Sequence, residues 1–293
     1  MRKEAWVPVV ELLVSGILLG GIYALIACGL NLIFGVMRVI NFAHGELVAI
    51  SALAAVSMVT ALKLPFWAAV ATLPFAMAAV GWLMQHMILR KLEGMPPIMS
   101  LLATYAVSTI LVNAAILVWG GGYMGMPGVL GGSIQVLGQS ISLSRLVSFV
   151  VALGASLAIW WMLAGTRFGR AVRTVSQAPE LAEISGIDVR RVRLATFALG
   201  AGMAGLAGVL IAPTFAVDAQ LGTRFLIKGF AVVIVGGMGS YPGALLAALL
   251  LGLIEVFGGY FSGAVIGSAL LFLIMLGVLL FRPQGLFGAG VRV

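Results

Sequence analysis

The chain has 293 residues, of which 62% are hydrophobic and only 9% are charged, and its mean hydropathy is +1.18. Soluble domains carry roughly 25% charged residues, so this composition excludes an ordinary soluble enzyme and indicates an integral membrane protein. The net charge of +8 lies mostly in short loops, where the positive-inside rule accounts for it without a nucleic-acid partner.

Apolar runs of about 20 residues, the length that a helix needs to cross a bilayer, recur along the chain. They are rich in Leu, Ala and Gly rather than alternating, which favours helices over a β-barrel. We therefore predict an all-α, polytopic protein with about 8–10 membrane segments, forming a single transmembrane domain over residues 1–293. Cys28 is the only cysteine, which excludes an intrachain disulfide and a thiol metal cluster.

The spans follow one another in a regular order. They are predicted at residues 12–30, 46–62, 66–89, 98–119, 145–164, 194–211, in two limbs within 225–257, and at 262–281. Arg90-Lys91 and the charged stretch 166–193 are predicted to be cytoplasmic, whereas the uncharged segment 120–142 and residues 213–222 are predicted outside. Asn113 is predicted to donate a hydrogen bond to another helix.

The first interrupted element covers about residues 31–62. Its polar residues lie between apolar runs and are Asn31, Arg38, Asn41, His44 and Glu46. A polar group in hydrocarbon costs several kcal/mol unless it is paired or faces water, so we predict a broken membrane element that lines a polar path. A cytoplasmic turn between two ordinary spans, with Arg38 as an anchor and His44 structural, is the alternative. His44 has no ligand at metal-binding spacing, so no metal site is predicted.

The second interrupted element covers about residues 225–257 and is broken by the Gly-rich segment 236–243. If Arg282 is cytoplasmic, this element must start and finish outside. If Arg2 and Lys3 are also cytoplasmic, residues 31–64 must likewise start and finish on the outer side of the membrane. Broken segments in corresponding positions of two halves point to a transport site.

These two elements supply the candidate substrate pathway. Its members are Asn31, Asn41, His44, Gly45, Glu46, Gly237, Gly239 and Ser240. A buried pair of Glu46 with Arg38 or His44 is the structural alternative.

The stretch 166–193 is predicted to dock a partner. Pro179 suits the first position of a short helix, Glu180 and Glu183 complement its dipole, and Gly186 suits the position after its end. A solvated loop is the alternative. The candidate coupling residues are Arg170, Arg173, Glu180, Ala182, Glu183 and Gly186.

Four motifs together resemble a known family. Glu180-Leu-Ala182 followed by Gly186 resembles the Glu-Ala-Ala…Gly signature of importer-type ABC permeases, although Leu181 replaces the first alanine and the later Leu-Pro element is missing. Three further segments carry the resemblance: Ile40-Asn-Phe-Ala-His-Gly-Glu46, Gly169-Arg-Ala-Val-Arg173 and Gly236-Gly-Met-Gly-Ser-Tyr-Pro-Gly-Ala244. From about Leu13 to Phe287, the chain resembles the shorter membrane permease of high-affinity branched-chain amino acid ABC transporters.

The resemblance implies a subunit of a larger importer in the bacterial inner membrane. It implies a second, homologous permease, more in keeping with a heterodimer than a homodimer, two cytoplasmic ATPases on the 166–193 loop, and a periplasmic substrate-binding protein. The sequence holds no G-x-x-x-x-G-K-[ST] phosphate loop, so ATP and Mg would be used by the partners. We expect no cofactor on this chain and no enzymatic activity of its own.

Other functions stay open at this stage. Related permeases serve urea, short amides and aromatic acids as well as leucine, isoleucine and valine, and much of the selectivity lies in the binding protein. A secondary transporter could couple to protons through His44 and Glu46. A channel would need neither nucleotide nor binding protein. An intramembrane enzyme would need a paired nucleophile and base or a metal set, and the sequence offers neither.

Overall fold

The computed structural model describes residues 6–126, 130–136 and 139–288, and these are mostly helical. The helices are α1 (Trp6–Met37), α2 (Ala43–Thr60), α3 (Phe66–Met87), α4 (Pro97–Trp119), α5 (Leu143–Gly165), α6 (Arg167–Gln177), α7 (Pro179–Ile184), α8 (Val189–Ile211), α9 (Leu221–Gly236), α10 (Tyr241–Ser262) and α11 (Ala264–Phe281). A 3₁₀ turn, Leu89–Leu92, follows α3, and an antiparallel hairpin of β1 (Ser133–Val136) and β2 (Gln139–Ser142) precedes α5.

Eight helical stretches in the described part of the chain are long and apolar enough to cross a membrane. They comprise α1, α2, α3 with its 3₁₀ turn, α4, α5, α8, α10 and α11. This confirms the prediction of an all-α, polytopic membrane protein. Helix α9 has only 16 residues, which corresponds to a length of about 24 Å.

The basic segments gather at one end of the helix bundle. Arg38 after α1, Leu89 and Glu93 after α3, and Arg193 in α8 line one pocket, and Arg193 pairs with Glu93 at 3.0 Å. The end of α1 also lines a pocket with α6 and with residues 239–242. We call this the basic end of the bundle. By the positive-inside rule it faces the cytoplasm.

Helix α1 crosses the centre of the bundle, packed antiparallel to α10. A Cβ on Gly16 would stand 2.7 Å from the backbone of Leu253, and one on Gly20 would stand 2.8 Å from Leu249. Such close backbone contact needs glycine, as is usual for helix pairs in membranes. The pairing sets the direction of α1, which runs from the opposite end of the bundle to the basic end.

Both predicted interruptions exist, but their positions and directions differ from the predictions. Helix α1 continues to Met37, so Asn31 is helical and the first break is confined to residues 38–42. Because α1 ends at the basic end, residues 31–64 start there and finish at the opposite end. The condition of a cytoplasmic N-terminus, under which residues 31–64 would start and finish outside, is therefore not met. The turn 237–240 lies at the basic end, so α9 runs towards that end and α10 returns to the opposite end, which confirms the predicted break into two limbs. Residue 225 lies near the start of α9, inside the bundle, so this element does not start at the opposite end as predicted.

Two further details bear on the sequence analysis. The stretch 166–193 forms α6, α7 and the start of α8, and α7 begins at Pro179 as predicted. Gly186 follows α7 with φ +79°, a conformation that favours glycine. Asn113, however, donates to the Thr109 carbonyl of its own helix at 2.8 Å, which corrects the predicted interhelical bond.

Candidate transport site

Helix α2 begins inside the bundle rather than at its surface. The Thr104 hydroxyl donates to the Ile40 carbonyl at 3.0 Å and accepts from the Phe42 N–H at 3.3 Å. Thr104 lies seven residues beyond the start of α4, a rise of about 10 Å. His44 packs against Gly29, eight residues before the end of α1, a rise of about 12 Å. The chain therefore folds back into the bundle before α2 starts.

Helix α9 also begins inside the bundle, because the chain before it enters from the opposite end. A Cβ on Gly222 would stand 2.6 Å from the carbonyl carbon of Gly45, so the first turns of α9 and α2 are in direct contact. From Gly45, α2 continues for 15 residues to Thr60, or about 22 Å, towards the opposite end. The start of α9 therefore lies deep within the bundle.

Two helix N-termini thus meet in the interior. Neither N-cap residue, Phe42 for α2 or Gln220 for α9, caps its helix with a side chain. Asn41 Oδ1, one residue before Phe42, accepts from the Ala43 N–H at 3.1 Å. The remaining N–H groups of a helix start and its dipole favour a negative charge or a polar ligand. Discontinuous helices whose N-termini converge within the membrane are the arrangement that transporters use at binding sites.

The acidic residue at this meeting point is Glu46. Its side chain is only 1% exposed, and its Oε1 accepts hydrogen bonds from Thr223 at 3.1 Å and from Ser108 at 3.3 Å. Thr223 on α9 is exposed and Ser108 on α4 is half-buried, so Glu46 lies just behind a polar patch of the surface. Among the described residues it forms an ion pair with neither Arg38 nor His44.

Several buried polar atoms at the start of α2 have no hydrogen-bond partner among the described residues. They are Nδ2 of Asn41, both ring nitrogens of His44, and Oε2 of Glu46. His44 lies against the backbone of Ile26, but neither ring nitrogen has the geometry of a hydrogen bond there. Each such atom costs roughly 1–3 kcal/mol, so a cluster of three residues is expensive to maintain. Such atoms call for a partner, which water or a polar ligand would supply.

The remaining pathway candidates form a separate structural clasp. Asn31 donates to the Ser240 carbonyl at 2.7 Å and to the Gly237 carbonyl at 3.4 Å, and it accepts from the Gly239 N–H at 2.6 Å. Ser240 caps α10 by accepting from the Gly243 N–H at 3.3 Å. The structure thus divides the predicted pathway residues into the group at the start of α2 and the clasp at the basic end. Helix α9 separates them, with 15 residues from Gly222 to Gly237, or about 22 Å.

The coupling candidates lie together at the basic end. Arg173 donates to the Leu163 carbonyl at the end of α5, whereas Arg170 is exposed. In α7, Ala182 is fully buried in a small apolar cluster that includes Val36 of α1 and Val172 of α6. The exposed residues of α7 and the turn after it are Pro179, Glu180, Leu181, Glu183, Ile184, Ser185 and Gly186.

Sequence reasoning missed Ser108 and Thr223, the two donors to Glu46. A single hydroxyl in an apolar helix carries no spacing signal, so only the fold could reveal them. It also passed over four charged residues, Asp218, Arg224, Lys228 and Glu255, in or beside an apolar range. Their position in or beside a membrane segment could have marked them as candidate functional residues, because charged side chains are rare there.

Comparison with known proteins gives a consistent result. The profile of a family described as "Branched-chain amino acid transport system / permease component" matches residues 12–281. The high-affinity branched-chain amino acid transport system permease protein BraD of Pseudomonas aeruginosa is 32% identical over 94% of this chain and 94% of its own length. The corresponding protein LivH of Escherichia coli K12 is 29% identical over 98% of this chain and 97% of its own length. A probable LivH of Methanocaldococcus jannaschii is 26% identical over 94% of this chain and 92% of its own length.

Proposed function

This chain belongs to the family of permease components of branched-chain amino acid transport systems, and we propose that it is such a subunit in an ABC importer. The observation that carries the proposal is the family match over residues 12–281. The cargo is leucine, isoleucine and valine, and the location is the bacterial inner membrane. The relatives favour this cargo over urea, short amides or aromatic acids, and an importer over a proton-coupled transporter.

The chain itself makes and breaks no bonds in this scheme. Partner ATPases use ATP and Mg, a periplasmic protein delivers the amino acid, and this subunit binds no cofactor. Its residues switch a polar path between the two sides of the membrane. A second, homologous permease completes the path, and the resemblance to the shorter subunit of a two-permease system supports a heterodimer.

Helix α7 is the docking element for an ATPase. Leu181 is 62% exposed and Ile184 is 84% exposed, although both are large apolar residues outside the membrane spans. On the inner side, Ala182 packs against α1, α6 and α8 through their valines. A force on α7 would therefore reach the end of α1 through packed side chains rather than through a flexible loop.

The path runs past the meeting point of α2 and α9. Asn41, His44 and Glu46 offer buried polar atoms with unmet hydrogen bonds, and Thr223 connects them to the exposed face. These groups can replace part of the hydration of a passing amino acid. The clasp of Asn31 with residues 237–240 braces the path from the basic end.

Uptake of labelled leucine, in cells with and without this chain, tests the proposal. We expect vanadate-sensitive uptake that excess isoleucine competes and that urea and benzoate do not. Unchanged leucine uptake without the chain would refute the assigned cargo. Uptake that collapses with the proton gradient and needs no ATPase would instead support the secondary transporter.

Docking has its own test. Glu180→Lys and Gly186→Pro should abolish uptake while leaving the subunit in the membrane, because the first reverses a charge on α7 and the second cannot adopt the φ of +79°. Gly94→Pro is the matched control, since Gly94 also has a positive φ and open surroundings at the basic end. Normal uptake in both α7 variants would refute the docking assignment.

A further inference from the structure

A cavity of about 460 Å³ lies between α1, α9, α10 and α11, apart from the group at the start of α2. The Lys228–Glu255 ion pair lines it, and so does Arg224, which is paired with Asp218. Lys228 Nζ lies 2.5 Å from Glu255 Oε1, and Arg224 contacts both oxygens of Asp218 at 2.6 and 3.0 Å. Glu255 is seven residues before the end of α10, or about 10 Å from the opposite end of the bundle. The lining of the cavity therefore extends from the interior of the bundle towards the opposite end.

The Lys228–Glu255 pair is held by four helices. Tyr23 of α1 donates to Glu255 Oε2 at 2.5 Å, and Ser268 of α11 donates to Oε1 at 2.9 Å. Lys228 also donates to the Tyr23 hydroxyl at 3.1 Å and lies over the rings of Tyr23 and Phe225. Both charges are mostly buried, with side-chain exposures of 21% and 13%.

Stability alone does not explain a buried ion pair at this position. Well-packed apolar side chains usually stabilise a buried site as well as an ion pair does, and charges within a bilayer are costly. Two cations, Arg224 and Lys228, stand one helical turn apart on α9 and line the same cavity. Apolar side chains complete its wall: Leu19, Phe215, Leu221, Phe225, Ile227 and Phe272. The volume lies within the range of about 300–1,000 Å³ that is typical of small-molecule sites.

We propose that this cavity binds the zwitterionic head group of the transported amino acid on the outer side of the membrane. Arg224 and Lys228 take the carboxylate, and Glu255 takes the ammonium group. The branched side chain packs on the apolar wall. This inference rests on the proposed function and adds the residues that recognise its cargo.

Two observations support these roles. The Arg224 side chain is 47% exposed, so its guanidinium can exchange Asp218 for a substrate carboxylate without first leaving a dry site. Thr223, the residue before Arg224, donates to Glu46, so the cavity adjoins the transport site along the first turn of α9. An amino acid leaving the cavity would next meet Glu46.

A cysteine-protection experiment tests occupancy without relying on the binding protein. The only native thiol, Cys28, is buried, so an introduced cysteine can be labelled selectively. Ile227→Cys places the thiol in the cavity wall, and Tyr123→Cys is the matched control in an exposed loop outside the cavity. Both are made in the complete transporter, in spheroplasts washed free of periplasmic protein, and treated with a membrane-impermeant thiosulfonate.

Leucine should slow labelling at position 227 and leave position 123 unchanged. 4-Methylpentanoate lacks the amino group and 3-methylbutylamine lacks the carboxylate. Each should need at least roughly tenfold higher concentration than leucine for equal protection, because each loses one charge-assisted contact. Equal labelling rates with and without leucine at position 227, or equal protection by either half-molecule, would overturn the assignment.

The double variant Lys228→Met with Glu255→Gln separates recognition from structure. It removes both charges together, so it leaves no lone charge buried. In the Ile227→Cys background we expect leucine protection to be lost while Cys28 stays inaccessible, as in the folded protein. Retained protection would overturn the proposal. Leucine uptake by the wild-type transporter is measured in parallel: its absence refutes the proposed function, whereas uptake without protection refutes only this site.

Discussion

Substitution of the glycines where α2 meets α9, Gly45 and Gly222, tests the fold at the candidate transport site most directly. A Cβ on Gly45 would stand 2.7 Å from Leu226 Cβ, against the 3.4 Å at which ordinary contact begins. The Gly222 carbonyl oxygen would be closer still, so helices α2 and α9 would have to part by at least about 0.7 Å. Overpacking of this kind costs about 1–3 kcal/mol. Gly45→Ala should therefore destabilise the protein and also displace Glu46 from Thr223, reducing leucine uptake.

Cys28 provides the assay. It is the only cysteine and is fully buried, so a thiol-reactive dye reports thermal unfolding of the detergent-solubilised protein. Gly154→Ala is the matched control, because Gly154 lies within α5 with no atom in the way of a Cβ. Alanine should stabilise that position by up to about 1 kcal/mol. We expect the midpoint to fall for Gly45→Ala and to stay or rise for Gly154→Ala.

A double variant sharpens the result. Gly222→Ala presses on the same contact from the other side, at 2.6 Å from the carbonyl carbon of Gly45. Once the helices have parted for one methyl group, the second costs less. The double variant should therefore be more stable than the sum of the single effects predicts, by roughly 0.5 kcal/mol or more. Additive effects, or a Gly45→Ala midpoint equal to that of Gly154→Ala, would refute the meeting of α2 and α9.

Three further outcomes follow from single side chains. Asn31→Leu leaves the Gly239 N–H and the Ser240 carbonyl unpaired, so the Cys28 midpoint should fall by the equivalent of roughly 1–3 kcal/mol, whereas Asn113→Leu should leave it unchanged. Glu46→Gln can still accept from Thr223 and Ser108, so the midpoint should hold while leucine uptake falls roughly tenfold through loss of the charge; uptake at the wild-type rate would make Glu46 a brace only. Gly169→Ala would press a methyl group into the Leu163 backbone at the join of α5 and α6, so ATP-driven uptake should fail with the subunit still in the membrane, and normal uptake would contradict a rigid coupling element.

The parts of the fold that were predictable are those that depend on local composition. The length of the apolar runs predicted the membrane spans. Pro179 and Gly186 predicted the two ends of α7, because each residue has a local backbone preference at a helix end. The position of α9 was not predictable. Residues 213–222 have the composition of an external loop, and nothing local to them shows that the chain enters the bundle before Leu221 begins the helix.

The roles of the polar residues depend on partners that are far away in sequence. Asn31 and Glu46 have the same signature, a polar group in an apolar run, and sequence reasoning placed both in the pathway. Asn31 meets the backbone of residues 237–240 and is fully satisfied there. Glu46 meets Ser108 and Thr223 and keeps one oxygen without a partner among the described residues. Only these distant contacts distinguish Asn31, whose polar atoms are all paired, from Glu46, which we propose lines the path.

Helix α1 connects the two ends of the machinery that these contacts define. Near the basic end, Val36 packs in the cluster that holds α6 and α7, and one turn earlier Asn31 holds the turn between α9 and α10. Helix α9 then carries Thr223 at its start and Lys228 in its middle, facing Glu46 and Glu255. A load on α7 that shifts the end of α1 must therefore move the turn 237–240 or break the three hydrogen bonds of Asn31. Because α9 is a short helix anchored at that turn, its movement changes the spacing of the polar groups at its start. If an ATPase docks on α7 as proposed, these contacts form one physical route from it to the polar groups proposed to release the amino acid.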